Sequence, residues 1–188
     1  MFLGHFAVAA ATKPAAPRAP VWVLFVASQL LDVLFLPLVA LGIESIEPAG
    51  YGQSTIHAYY THSLVGALLI SAGAYWLGKR VWQTSRVAWT LAALTFSHWP
   101  LDLLVHRQDM PILPGNLGGL PLLGFGLWDY AWLVFGLELA LALAGLIIYT
   151  LWARRTAQPG RRWYLGPAIV AALFILFIAM DHPQLPQA

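Results

Sequence analysis

Polar positions interrupt this chain at few places, and the apolar runs between them set its expected elements. Residues 21–43, 56–78, 87–106, 128–152 and 163–180 are each apolar over roughly the ~20 residues that a membrane-crossing helix needs. The stretches between them are short. Lys13 to Pro20 is Pro-rich, and residues 44–55 carry Glu44 and Glu47 but no Lys or Arg. Lys79, Arg80 and Arg86 make a basic loop, and Arg154, Arg155, Arg161 and Arg162 precede the last run. Residues 110–127 hold three prolines, five glycines and one acid-free, base-free surface. Pro37 is expected to bend the second half of the first run. The expected fold class is an all-α integral membrane protein of about five transmembrane helices, one domain over residues 1–188. A short helix over Phe2–Ala11 comes first, too short to span, and is expected to re-enter or lie at the interface. Its positive charges, Lys13 and Arg18, follow the apolar run instead of preceding it, so it is not patterned as a signal peptide.

One stretch stands out against this background: Ser-His-Trp-Pro-Leu-Asp-Leu-Leu-Val-His-Arg at residues 97–107. His98, Asp102 and His106 are spaced i, i+4, i+8, which puts them on one narrow helix face drifting only ~40° per step. Titratable residues inside an apolar helix are costly and point to function. Depth arithmetic extends the pattern. At ~1.5 Å per residue, Asp32 and His98 lie ~16 and ~18 Å from the inner ends of their runs, while His62, Glu138 and His5 lie ~9, ~15 and ~10 Å along theirs. Those positions share the middle-to-outer part of a ~30 Å apolar layer. Asp102 and His106 continue the stripe outward, and His57 stands at its rim.

Composition agrees with this reading. Of 188 residues 60% are hydrophobic and 10% charged, with a mean hydropathy of +0.70. The net charge of +2 is carried in short basic clusters, which read as topology and not as a nucleic-acid footprint. Under the positive-inside rule the N-terminal basic link faces the cytoplasm and the C-terminus lies outside the cytoplasmic membrane. There is no cysteine, which excludes disulfides, thiolate nucleophiles and Cys-ligated metals. Imidazoles and carboxylates without thiols suit zinc best, with manganese or iron also possible, as one or two ions.

The pieces His5, Asp32, His57-Ala-Tyr-Tyr-Thr-His62-Ser and Ser-His98-Trp-Pro-Leu-Asp102, in this order, resemble the YdjM-like family of membrane-bound metal-dependent hydrolases, over roughly residues 1–106. The resemblance implies a metal site built from His5, Asp32, His57, His62, His98 and Asp102. The expected function is a membrane-embedded metal-dependent hydrolase acting on a lipid or another amphiphilic phosphate or ester, with Asp102 or Glu138 taking the proton and the 110–127 loop as a lid. The expected partners are membrane lipids and the amphiphilic substrate, with no nucleic acid. Two other readings fit the same residues: a metal or proton transporter, or a membrane protein whose metal is purely structural.

Overall fold

The apolar runs fold as helices whose ends are set by the polar residues beside them. A computed structural model describes residues 1–47, 54–159 and 162–180. Within these the helices are α1 (Phe2–Ala11), α2 (Val21–Ser28), α3 (Leu30–Ala40), α4 (Leu64–Trp82), α5 (Ser85–Val105), α6 (Ala131–Arg155) and α7 (Leu165–Met180). Two short antiparallel strands, β1 (Ser45–Glu47) and β2 (Thr55–His57), pair with Ile46 opposite Ile56. Ser63 caps α4 by accepting from the Gly66 N–H at 2.9 Å. The helix therefore starts later than the apolar run, because residues 55–63 form β2 and a turn. At its other end Lys79 and Arg80 complement the helix dipole.

α1 lies at the centre of the bundle. Leu3, Ala7, Ala9 and Ala10 are buried among Leu24, Phe25, Ala142, Tyr149 and Phe174, contributed by α2, α6 and α7. Its closest approach is to α6 at Gly145, where a Cβ would run into the Ala7 carbonyl. The link after α1 is tied down by Lys13, which donates to the carbonyls of Pro17 and Ala19 at 3.0 and 2.5 Å and lies 4.8 Å over the Trp152 ring. Burial lowers the pKa of this ammonium below the usual lysine range.

The expectation of an all-α fold with about five transmembrane helices is corrected on two counts. Among the described residues, only Leu127–Arg155, which is α6 with its leading turn, is long and apolar enough to cross a membrane. α2 and α3 add a second crossing only if taken as one span bent by 54°. α1 and α7, at 10 and 16 residues, are too short. α4 and α5 have the length, but a basic last turn dilutes the first, and Arg86, Ser97, His98 and Asp102 dilute the second. The second count is the hairpin, which breaks the all-α pattern. The break in the first run also falls at Gln29 and not at Pro37, which sits inside α3. Arg161, residues 48–53 of the expected outer turn and the segment beyond Met180 lie outside the described residues.

Candidate metal centre

The α5 stripe forms the spine of the site. His98 Nε2 lies 3.0 Å from Asp102 Oδ2, and His106 Nε2 lies 3.8 Å from the same oxygen. All three residues are buried. The turn before α4 brings His62, whose Nε2 is 3.3 Å from His98 Nε2 and 3.7 Å from Asp102 Oδ2. α3 brings Asp32, whose Oδ1 is 3.2 Å from His62 Nε2 and 3.6 Å from His98 Nε2. α1 brings His5, whose Nε2 is 3.1 Å from Asp102 Oδ1 and whose ring stacks on His98 at 3.8 Å between centroids. Four segments distant in sequence thus deliver six side chains to one spot.

The spacing of these donors is that of metal ligands. The Asp32–His62–His98 triangle has edges of 3.2, 3.3 and 3.6 Å. A tetrahedral ion with bonds of about 2.0–2.1 Å has donor–donor edges of about 3.3–3.4 Å. A second set, His5, His98 and Asp102, also lies close enough to hold an ion, and shares His98 with the first. The protein therefore contains buried His/Asp groups able to bind a metal.

The partners of the far ring nitrogens determine which way the lone pairs point. His98 Nδ1 is 2.7 Å from the Ser28 carbonyl, which only accepts, so Nδ1 carries a hydrogen and Nε2 presents its lone pair whenever the ring is neutral. His106 Nδ1 is 2.9 Å from Asp109 Oδ1, with the same consequence. With neutral rings, acceptor atoms would face acceptor atoms, two imidazole nitrogens and two carboxylates within 3.0–3.6 Å. Such a cluster is stable out of water only around positive charge. The Met1 backbone nitrogen lies 3.1 Å from Asp102 Oδ1. His5 Nδ1 is buried with no hydrogen-bond partner among the described residues.

The carbonyls that hold α5 belong to the helix break. Thr95 Oγ1 donates to the Ala27 carbonyl at 2.9 Å, next to the His98–Ser28 contact. The bend at Gln29 thus presents two main-chain acceptors to α5 and at the same time turns Asp32 toward His62.

Of the six residues implied as ligands, His5, Asp32, His62, His98 and Asp102 come together. His57 does not. It ends β2, pairs with Glu47 at 3.6 Å, and its side chain is 36% exposed. Its ring points into the hairpin, because the strand pairing that opposes Ser45 to His57 keeps it on the Glu47 side. Glu138 is buried on α6 but belongs to neither donor set. The residues that sequence reasoning did not single out are Ser28, Thr61, Asp109 and Glu44. The last is 2% exposed and accepts from Thr61. Only Thr61, adjacent to His62, carried a signal by position.

The 110–127 loop is anchored instead of free. Met110 pairs with Leu123, the N–H groups of Leu64 and Val65 donate to the Pro111 and Ile112 carbonyls, and Gly126 N–H donates to the His106 carbonyl at 2.7 Å. Trp128 then packs on the His106 ring at 4.3 Å. Fold and site together define a helical bundle around a buried His/carboxylate centre. No family profile, curated protein or solved structure matches the chain.

Proposed function

We propose that this protein is a membrane-embedded, metal-dependent hydrolase of amphiphilic phosphates or esters. The observation that carries the reading is the state of Asp32. The rest of the centre is sealed, with His62, His98 and Asp102 at most 4% exposed, whereas the Asp32 side chain is 40% exposed. The Asp32–His62–His98 triangle is therefore open on one side, the pattern of three protein ligands and a free position that catalytic zinc sites use. A structural ion would be closed off. Val33, Leu34 and Leu36 lie exposed beside Asp32, so the mouth of the site is apolar and suits a substrate with a greasy tail.

In this reading Asp32, His62 and His98 hold the ion, most suitably zinc from the nitrogen and oxygen donors. A divalent ion held by these residues would supply Lewis-acid polarisation of a phosphoryl or carbonyl oxygen and a more acidic water. Asp102 is the carboxylate that takes the proton. It lies 3.0 Å from His98 and is oriented by His5, and those distances favour it over Glu138. The membrane seat is supported by the exterior of α6, where Leu133, Leu137, Leu143, Ile147 and Leu151 are exposed, and by exposed Trp22 and Trp76 near helix ends. The resemblance to the YdjM-like hydrolases points the same way.

The test is elemental analysis of the purified protein, followed by a hydrolysis screen over phosphate- and ester-bearing amphiphiles with and without chelator. Stoichiometric transition metal and chelator-sensitive turnover, lost in Asp102→Asn with metal retained, are expected. A protein that purifies and reconstitutes without metal, or turnover indifferent to chelator, would end the proposal.

A further inference from the structure

Glu44 belongs to neither donor set and sits in the turn between α3 and β1, yet it is 2% exposed. A buried carboxylate must be satisfied, and the bonds around this one carry information. Oε1 accepts from the backbone N–H groups of Tyr60 at 2.7 Å and Thr61 at 3.0 Å. The Thr61 hydroxyl lies 3.2 Å from Oε1 and 3.0 Å from Oε2, and 2.9 Å from His62 Nδ1. That hydroxyl has one hydrogen and lone pairs besides. An ionised carboxylate that already receives two N–H groups can only accept, so the hydrogen goes to Glu44. The lone pair then faces His62, and His62 Nδ1 must be the nitrogen that carries a hydrogen. Its Nε2 is left bare, 3.2 Å from Asp32 Oδ1 and 3.3 Å from His98 Nε2.

We propose that Glu44, acting through the Thr61 hydroxyl, is a positioning residue that holds His62 in the Nδ1–H form and thereby makes Nε2 a ligand atom. His98 reaches the same state through the Ser28 carbonyl and His106 through Asp109, so the three imidazoles are oriented by three different acceptors from three different segments. His62 is the one that needs the most help. Its backbone lies in the turn before α4, whereas His98 is fixed within α5. The Trp99 indole holds the His62 carbonyl at 2.9 Å, which locates the residue but leaves ring tautomer and rotation to Thr61. The relay also ties the α3–β1 turn to the start of α4 across 17 residues of chain. Partners of this kind raise the basicity of a ligand and fix its direction, and removing them costs about 10–100-fold in metal affinity. The inference rests on the metal-binding part of the function proposed above and is independent of hydrolysis.

Glu44 also braces two backbone N–H groups, so the test uses Thr61. Thr61→Val keeps shape and leaves both backbone bonds to Glu44 in place, while Thr61→Ser restores the hydroxyl. Zinc affinity is measured by competition with a chromophoric chelator on the intact detergent-solubilised chain. Thr61→Val should weaken zinc about 10–100-fold and Thr61→Ser only slightly. The second readout is the imidazole ¹⁵N spectrum of metal-stripped, His-labelled protein, with the His62 signals assigned by their loss in His62→Gln. Wild type should show the Nδ1–H form at His62, and Thr61→Val should shift it toward Nε2–H, a change that a bracing role alone would not produce. An Nε2–H form in the wild type, or unchanged zinc affinity in Thr61→Val, overturns the proposal. Should Thr61→Val not fold, the wild-type spectrum decides by itself. Should the wild type take up no zinc, the metal reading fails, and the same spectrum still decides the relay.

Discussion

His98 is the residue on which the centre depends most. It belongs to both donor sets, is fully buried, and its Nδ1 is committed to the Ser28 carbonyl. His57 shares the side chain and none of those constraints. His98→Ala should therefore lower zinc affinity by more than the roughly 100-fold that loss of an orienting partner costs. His57→Ala, which removes a pair with Glu47 and a contact with Tyr59, both away from the donor sets, should change it by less than about two-fold. Zinc and protons compete for the same Nε2 lone pairs, so wild-type affinity should fall as pH drops. Chelator-competition titrations of the three proteins, with wild type repeated over a pH series, check each expectation. A His57→Ala defect as large as that of His98→Ala would return His57 to the site. The stripe at positions 98, 102 and 106 was legible because a helix repeats every 3.6 residues. Glu44 and Ser28 were not, since an acceptor is recognised as one only when its donor is beside it.

At the scale of elements, the site exists because α1 is held in the middle of the bundle. That position requires α6 to have no side chain where the two backbones meet, at Gly145. Replacing a helical glycine by alanine favours the helix by up to about 1 kcal/mol. At Gly145 the new Cβ meets the Ala7 carbonyl, main chain that cannot swing aside, and overpacking of this kind costs about 1–3 kcal/mol. The clash wins, so Gly145→Ala should lower the melting temperature and, by displacing His5, weaken the centre. Gly136→Ala on the same helix meets nothing within 4 Å and should be neutral or slightly stabilising. Thermal melts of the two variants separate packing from propensity. Helices over these runs could be read from apolarity. The break at Gln29 could not, because Thr95 and His98 on another helix take the carbonyls at it.

For the whole molecule, the proposed ligands come from α3, the turn before α4, and α5, so an ion links segments that would otherwise separate on unfolding. Zinc at a hundred times its Kd should stabilise the folded state by about 2.7 kcal/mol, since it binds that state alone. Melting with zinc and with chelator measures the difference. His98→Ala should abolish the zinc-dependent rise. Equal melting of wild type in the two conditions would show that the cluster takes no ion under these conditions. The apolar exterior of α6 makes a further demand on surroundings. The melts therefore belong in detergent or bilayer, where Leu133, Leu143 and Ile147 are covered.

The sequence alone determined where apolar runs lie, that thiol chemistry is absent, and that His98, Asp102 and His106 share one face. Helical period and residue chemistry are local properties, and they can be read from local order. It also singled out Asp32, His62 and His5, but by a depth count along continuous helical spans, whereas His62 lies in the turn before α4 and is brought to the site by tertiary packing. Tertiary packing decided the rest. It set the number of helices able to cross a membrane, because broken, late-starting and polar-diluted helices lose length or apolarity. It sent His57 to a hairpin partner and left Asp32 at the open edge. And it gave each imidazole its acceptor, since a ring tautomer depends on which atom of a distant segment lies opposite the other nitrogen.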